Sequence, residues 1–253
     1  MADDQPGRHT AARTAVVWAA LREAAAARAE QTGREHLDIV DAGGGTGGFA
    51  VPLACLGHRV TVVDPSPNSL AAAQRRAAEQ GVPLVAVQGD LVDLPGIAGE
   101  EAADLVLCHS VLEYVDDPAA ALATIARVLR DAGTVSVLAA GVIAAAIHRA
   151  LAGHFDEARG LLAGGAPRGR GAPRDGGGPP HRFTLSTLTG LIEKAGLRPG
   201  AAQGIRVFSD LVPSALVDFH PGAAEALLAL ERAAAEHPAL REIATQLHVF
   251  GHR

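Results

Sequence analysis

Aromatic and cysteine side chains are scarce in this chain of 253 residues. Phe, Tyr and Trp make up 3% of the residues although apolar residues together make up 48%. The core must therefore consist mainly of Ala, Val and Leu, a composition that suits helices packed on a sheet. The two cysteines, Cys55 and Cys108, have neither metal-ligand spacing nor a disulfide framework. We expect both to be buried small apolar residues.

Net positive charge and long apolar runs are also missing. The formal net charge is −6, so no global field attracts nucleic acid, and such binding would need a local basic patch. No run reaches the ~18–20 apolar residues of a membrane-spanning helix, and charged residues interrupt the alanines near the N-terminus. We expect a soluble cytoplasmic protein with no membrane partner, long enough to bury a substantial core.

The most informative stretch runs from Leu37 to Gly48. Its apolar residues Leu37, Ile39 and Val40 are followed by Asp41. Five of the six residues from 43 to 48 are glycines, and the sixth is Thr46. A short apolar run, an acid and a glycine-rich turn before a helix are typical of a buried parallel strand that opens onto a nucleotide. Glycine is needed there because the loop turns sharply and lets a ligand approach the bare backbone.

Strand and helix patterns then alternate along the chain. We predict strands at 37–41, 59–64, 84–87, 104–108, 134–139, 205–208 and 246–250, and helices at 10–29, 46–56, 66–80, 118–130, 143–151, 184–195 and 221–236. Strands that alternate with helices of this length favour a parallel sheet covered on both faces. The predicted fold is α/β, with a doubly wound, mostly parallel, seven-stranded sheet.

Residues 141–182 interrupt the alternation. After a helical start the segment is rich in Gly and Pro. Residues 164–182 carry Arg168, Arg170, Arg174, His181 and Arg182 against the single acid Asp175. Two interpretations stay open, a surface insertion without regular structure and a basic lid for an anionic substrate.

Two ligand classes fit the glycine turn. The spacing Gly43-x-Gly45-x-x-Gly48 satisfies the dinucleotide fingerprint, which also requires an acid about 20 residues further on. The same residues, read from Asp41 as Asp-x-Gly-x-Gly-x-Gly, resemble the first motif of class I methyltransferases that use S-adenosylmethionine. The glycines alone do not separate the two interpretations.

Residues at the following strand ends favour the methyl donor. Asp64 can accept hydrogen bonds from both ribose hydroxyls, and Asp90 can accept one from the adenine amino group. The segment from His109 to Tyr114 resembles the one that flanks the methionine end of the donor. We therefore predict a donor-binding set of Asp41, Gly43, Gly44, Gly45, Gly47, Asp64, Pro65, Gly89, Asp90, Leu91 and His109.

Several segments together resemble the bacterial tRNA 5-carboxymethoxyuridine methyltransferase family. They lie at 37–45, 109–114, 153–156, 204–210, 226–231 and 248–249, and the likeness runs from about Thr10 to the C-terminus. The family methylates the carboxylate of a modified wobble uridine. The resemblance thus implies a Rossmann-like class I fold, S-adenosylmethionine as cofactor and the tRNA anticodon loop as partner. Residues 244–247 depart from the Gly-Arg-Tyr-like segment that the family leads us to expect.

With this resemblance, we interpret 1–253 as a single methyltransferase domain. Its parts are an N-terminal helical cover (10–36), a donor-binding core (37–140), a flexible basic insertion after strand five (141–182) and a C-terminal substrate-side half (183–253).

The catalytic candidates follow from the chemistry of the acceptor. A carboxylate is already ionised at neutral pH, so it needs a cation that orients it rather than a general base. The rigid fork of arginine suits that role. Arg206 is the first candidate because the strand predicted around it is otherwise apolar, and Arg13 is the second. His109 would serve as a base for a hydroxyl acceptor, or else only pack beside the donor.

Four residues are candidates for contact with the acceptor: Arg206, Tyr114, His248 and Arg182. Tyr114 would stack on a base or pack in the core. From the residues alone, His248 would be a structural residue, whereas the resemblance places it near the substrate. We expect no metal site.

Two alternative hypotheses remain. A small-molecule O- or N-methyltransferase fits the acidic charge and the departure at 244–247. A nucleotide-binding protein without catalytic activity is the other, although no donor motif is broken.

Overall fold

A computed structural model describes the backbone of residues 8–163, 181–218 and 220–253, and the side chains of these residues except 8–13, 214 and 218. Arg168, Arg170, Arg174 and the rest of 164–180 lie outside the described residues. The strands are β1 Asp38–Ala42, β2 Arg59–Asp64, β3 Val85–Gln88, β4 Ala103–His109, β5 Leu129–Ala140, β6 Arg198–Ile205 and β7 Gln246–His252. The helices are α1 Arg8–Thr32, α2 Ala50–Cys55, α3 Pro67–Glu79, α4 Leu94–Ala98, α5 Pro118–Val128, α6 Val142–Leu151, α7 Phe155–Leu162, α8 Leu185–Lys194, α9 Ser214–Asp218, α10 Ala223–Ala235 and α11 Pro238–Arg241.

The seven strands form one sheet in the order β3-β2-β1-β4-β5-β7-β6, with helices on both faces, and this confirms the predicted fold class. Neighbours from β3 through β5 run parallel, with Asp41 aligned to Val62 on one side and to Leu107 on the other. The sheet is mixed because β7 runs opposite to β5. The amide of Arg253 bonds to the carbonyl of Gly133, and that of Gly141 bonds to the carbonyl of Thr245.

By contact density the chain divides into two compact units. Of the described residues, the core unit comprises 23–138, 187–201 and 249–253, and the C-terminal unit comprises 8–22, 139–163, 181–186, 202–218 and 220–248. Parallel strands β1, β2 and β4 bring their carboxyl ends to one edge of the core unit, which is where ligands bind in sheets of this class.

An ion cluster fixes the opposite, amino-terminal edge of β1 and β4. Asp104 is fully buried and bonds to Arg28, Arg34 and Arg130. Burial alone would raise the pKa of Asp38, but hydrogen bonds from Arg59, Arg130 and Arg34 outweigh it and hold that pKa well below its ordinary value. The two strands therefore start from a shared, charge-compensated anchor.

Helix starts in the core unit follow the local sequence. The Ser66 hydroxyl caps α3 by accepting from the amide of Ser69, at 3.3 Å, and Pro67 fills the first helical position as predicted. Asp117 caps α5 by accepting from the amides of Ala119 and Ala120.

The strand predicted at 205–208 is wrong. The sixth strand instead covers 198–205, a stretch with two glycines and a proline that has little β-propensity. It ends at Ile205 because Arg206 adopts a left-handed conformation, with φ of 61°. Helix α7 was not predicted, and Cys55 is exposed at the end of α2 rather than buried, whereas Cys108 is buried as expected.

Within the described residues, the helices are all too short or too polar to cross a lipid bilayer.

Candidate active site

The glycine turn between β1 and α2 takes conformations that favour glycine. Gly43, Gly45 and Gly47 have φ values of 75°, 53° and 74°. The amide of Gly43 donates to the carbonyl of Val63 at 2.7 Å, which ties the turn to the end of β2. A side chain at position 43 would overlap Cγ2 of Val111, so this position needs glycine for its space as well as its backbone.

Asp41 lies beneath the turn. It is 3% exposed, and a Cβ on Gly44 would come within 2.6 Å of its Cγ and Oδ2. Burial and the nearby charge of Asp64 raise the pKa of Asp41 to about 7, although the amide of Ala50 donates to its carboxylate. The structure thus places Asp41 behind the turn, where it packs closely against Gly44 and accepts a hydrogen bond from the start of α2.

Asp64 ends β2 and joins two backbone segments. Its Oδ2 accepts from the amide of Gly45 and its Oδ1 from the amide of Ser66, both at 2.9 Å. Each carboxylate oxygen has two acceptor sites, so each retains one for a ligand hydroxyl. Two amides therefore orient Asp64 without exhausting its hydrogen-bonding capacity.

The segment after β3 is closely packed and capped. A Cβ on Gly89 would come within 2.7 Å of the Cδ1 of Ile97, so a larger residue would require that side chain to shift. Oδ1 of Asp90 accepts from the amide of Leu91 at 2.6 Å, while the amide of Asp90 donates to Asp93 at 2.9 Å. This reciprocal cap holds the short 3-10 turn Leu91–Asp93.

The end of β4 carries His109 and Ser110. Nε2 of His109 lies 2.8 Å from the hydroxyl of Ser136, and the ring of Phe49 meets the imidazole edge-on at a centroid distance of 4.7 Å. Ser110 is left-handed, with φ of 57°. Such conformations in residues other than glycine cluster at functional sites.

These strand ends surround a cavity of about 590 Å³. It is lined by Ala42, Gly43, Val63, Asp64, Pro65, Gly89, Asp90, Leu91, Val92, Ser110, Val111, Tyr114, Val115, Asp116, Asp117, Ala120, Ala121 and Thr124. Six residues of the predicted donor set are brought together there: Gly43, Asp64, Pro65, Gly89, Asp90 and Leu91. The other five lie outside its lining: Asp41, Gly44, Gly45, Gly47 and His109.

Ser110 and Val111 line the cavity and belong to the segment 109–114 that resembles the methionine flank of the donor. Sequence reasoning did not single out Asp116 and Asp117, which also line it. The signal for the two acids was their place after the segment that begins at His109. Asp117 has a second role because it also caps α5.

The charge of the cavity separates the two ligand classes that the sequence left open. Four carboxylates line it, from Asp64, Asp90, Asp116 and Asp117, and its described lining contains no Lys, Arg or His. A dinucleotide would bring an anionic pyrophosphate to this wall, whereas S-adenosylmethionine brings a cationic sulfonium and an ammonium group. The retained acceptor sites of Asp64 also suit a ribose. The residues present therefore fit the methyl donor.

In the C-terminal unit, the structure corrects the setting of Arg206. It lies in a turn after β6 rather than within a strand, and its Nη2 pairs with Oδ2 of Asp210 at 2.5 Å. The guanidinium is 27% exposed, and its Nε is buried with no hydrogen-bond partner among the described residues. The charged group is thus held by a carboxylate but retains donor capacity.

The other predicted acceptor-side residues differ in exposure. His248 is 1% exposed with Nδ1 at 3.4 Å from Oε1 of Gln203, and burial lowers its pKa to about 4. Tyr114 is 67% exposed at the rim of the cavity, so packing in the core is excluded. Arg182 is half-buried beside Phe183, whose amide bonds to Ala140. Arg13 lies in α1 with its side chain outside the described part.

No group of three or more His, Cys, Asp or Glu within the described residues could hold a metal ion.

Comparison with known proteins agrees with this chemistry. Residues 40–137 match the methyltransferase domain family. The tRNA 5-carboxymethoxyuridine methyltransferase of Escherichia coli K12 is 30% identical over 211 residues, which cover 78% of this chain and 72% of that protein. The ubiquinone biosynthesis O-methyltransferase of Methylocella silvestris is 38% identical over 100 residues, which cover 39% of this chain and 38% of that protein.

Solved structures share the fold. An S-adenosylmethionine-dependent methyltransferase from Mesorhizobium loti has a TM-score of 0.54 at 20% identity, over 86% of this chain and 91% of that one. The magnesium protoporphyrin IX methyltransferase of Synechocystis PCC 6803, solved with bound SAH, has a TM-score of 0.58 at 15% identity, over 98% and 84%. The chain therefore belongs to the class I S-adenosylmethionine-dependent methyltransferases, in the family of the tRNA 5-carboxymethoxyuridine methyltransferases, and its cofactor is S-adenosylmethionine.

Proposed function

We propose that this enzyme methylates the carboxylate of 5-carboxymethoxyuridine at the wobble position of tRNA and forms the methyl ester. The observation that carries the proposal is the 30% identity to the Escherichia coli enzyme, because it extends over 78% of the chain and well beyond the donor-binding region. A tRNA substrate would place the reaction in the cytoplasm.

Donor binding is assigned to the acidic cavity. When bound, S-adenosylmethionine supplies an electrophilic methyl group that an acceptor oxygen takes by in-line displacement. Asp64 would hold the ribose through the acceptor sites that Gly45 and Ser66 leave, and Asp90 would receive the adenine amino group. Gly43 would admit the ligand to its backbone, and Tyr114 would stack at the rim.

Acceptor binding is assigned to Arg206. The acceptor carboxylate is ionised at neutral pH, so the protein must orient it and does not need to remove a proton. Asp210 occupies one edge of the guanidinium, while Nε has no partner among the described residues. The guanidinium carries five N–H donors, more than the pairing with Asp210 uses, and its side chain is 27% exposed. This supports the role because arginine binds carboxylates through two parallel hydrogen bonds.

The remaining candidates receive lesser roles. His109, fixed by Ser136 and Phe49, would frame the methionine end of the donor. His248 is neutral at pH 7 and would contribute shape and one hydrogen bond rather than charge. Arg182 and Arg13 would contact the phosphates or carboxylate of the anionic substrate.

The proposal is tested on tRNA from an Escherichia coli strain that lacks its own tRNA 5-carboxymethoxyuridine methyltransferase. This tRNA is incubated with the purified enzyme and S-adenosylmethionine, then digested to nucleosides for mass spectrometry. We expect 5-carboxymethoxyuridine to gain one methyl group. Active donor turnover on another substrate with no gain on this nucleoside would refute the tRNA assignment.

A small-molecule O-methyltransferase is the second candidate. The relatives named for ubiquinone biosynthesis favour it, but the one from Methylocella silvestris matches only 39% of the chain. The net charge of −6 also suits an acceptor that is not a polyanion. The salt dependence of KM separates the two candidates. The KM for tRNA should rise by about tenfold or more between 50 and 200 mM salt, whereas the KM for a neutral acceptor should not rise.

A further inference from the structure

Glu231 of α10 binds the turn that carries Arg206. We call residues 206–210 the arginine turn. Oε2 of Glu231 accepts from the amide of Val207 at 2.9 Å, and Oε1 accepts from the amides of Phe208 at 3.0 Å and Ser209 at 2.6 Å. The hydroxyl of Ser209 also donates to Oε1. Four donors thus converge on one carboxylate that is 1% exposed.

This arrangement explains why the arginine turn is not a strand. In a strand, successive amides point alternately to the two neighbouring strands. Here the amides of Val207, Phe208 and Ser209 all point to one side, as in an anion-binding nest. The left-handed Arg206 starts the nest, and Glu231 fills it. Buried amides without such an acceptor would each lose their hydration with no hydrogen bond in return, so the turn depends on the carboxylate.

The same turn fixes Arg206. Its carbonyl accepts from the amide of Thr245 at 3.4 Å, and its guanidinium pairs with Asp210 four residues later. Val207, next in the chain, packs against Ala234 of α10 and Ala244. The direction of the arginine side chain therefore depends on a backbone that α10 holds.

We propose that Glu231 is a positioning residue, which holds the arginine turn so that Arg206 can orient the acceptor carboxylate. This inference rests on the function proposed for Arg206. Glu231 acts through the backbone of the turn, since its carboxylate accepts from four internal donors and is buried away from solvent.

Glu231→Gln is the variant that tests this role. A glutamine has the same shape but only one acceptor oxygen, and the amides bond to both oxygens of Glu231. In either orientation, the NH2 group of the glutamine would face an amide donor and break one side of the nest. Glu225→Gln, on the exposed face of the same helix, is the matched control.

We expect Glu231→Gln to lower kcat/KM for the tRNA described above by about tenfold, since small displacements of aligning groups have effects of that order. The Kd for S-adenosylmethionine, measured by calorimetry, should stay within about twofold, and Glu225→Gln should match the wild type in both. Arg206→Ala should lower kcat/KM further, and adding Glu231→Gln to it should cause no additional loss, because the two residues act in series.

The outcomes separate the inference from the function on which it rests. If Arg206→Ala is impaired but folded Glu231→Gln is not, or if the losses multiply in the double variant, Glu231 has no positioning role. If Arg206→Ala retains full activity on tRNA, the function proposed for Arg206 fails instead. Ser209→Ala, which removes one donor and keeps the nest, provides the test if Glu231→Gln does not fold; we then expect a smaller loss of the same kind, and wild-type activity overturns the inference.

Discussion

The glycine turn and the arginine turn are built on the same principle and used differently. In each, a carboxylate from a distant part of the chain accepts backbone amides: Asp64 accepts two, and Glu231 accepts three. Asp64 borders a cavity and retains acceptor sites, whereas Glu231 is enclosed and accepts only from donors of the turn. A carboxylate that orders a loop can therefore also bind a ligand only where it borders a space that the ligand can enter and its donors leave lone pairs unused.

Asp64→Ala should have the largest effect on the first turn. It removes the proposed ribose contacts and releases the amides of Gly45 and Ser66, so we expect donor affinity to fall by about 3 kcal/mol, more than 100-fold. Calorimetric titration with S-adenosylmethionine measures this, with exposed Asp131→Ala as the control. Unchanged affinity would show that Asp64 only orders the turn, as Glu231 does.

Gly43→Ala should cause the second-largest loss of donor affinity. The new methyl group overlaps Val111 and the residue must hold φ of 75°, so we expect donor affinity to fall at least about tenfold. Gly48→Ala is the matched control because a Cβ there meets nothing within 4 Å. Adding Val111→Ala should restore part of the affinity; equal losses at 43 and 48 would contradict the steric explanation.

Arg206→Lys examines the second turn. Lysine keeps the charge but lacks the fork, so kcat/KM for tRNA should fall by about tenfold while donor affinity remains unchanged. Steady-state kinetics and calorimetry on one preparation distinguish the two quantities. A loss of donor affinity as large as the loss of kcat/KM would mean that the two turns are not functionally separate.

His248 should give the smallest effect, on stability. Its pKa is about 4 in the folded protein, below the ordinary value of 6.5, so the unfolded chain binds the proton more tightly. Stability from this residue is complete above pH 6.5 and is lost toward pH 4 at up to about 1.4 kcal/mol per pH unit. The free energy of unfolding is measured with denaturant at pH 7.5 and at pH 5. It should decrease less between these pH values for His248→Gln than for the control His237→Gln, whose histidine is exposed.

The donor side was largely predictable because its information is local. Glycines and acids directly follow apolar strands, and parallel strands bring those ends to one edge, so Asp64 and Asp90 could be expected to lie at one site, and both line the cavity. Asp117 was not singled out, because an acid before Pro118 has no local feature that separates a helix cap from a cavity residue. The sequence places Asp41 at the end of the first strand but does not predict that its side chain is buried, because burial depends on packing against residues outside the motif.

The acceptor side was harder because long-range contacts determine it. Around Arg206 the apolar residues favoured a strand, and only Glu231, 25 positions further along the chain, converts them into a turn. Glu231 is one of two acids on α10, and no local pattern indicates that its partner is the backbone of a turn. The true sixth strand was overlooked for the opposite reason, since its eight residues include one β-branched residue, Ile205, and it forms through pairing within the sheet.

The shared acceptor in the arginine turn also makes its backbone cooperative. The amides of Val207, Phe208 and Ser209 cannot open to solvent one at a time without disturbing the carboxylate that holds the others. In hydrogen exchange with deuterated water, they should behave as one unit whose opening is the departure of Glu231. The turn is then either closed with its arginine in place or open as a whole.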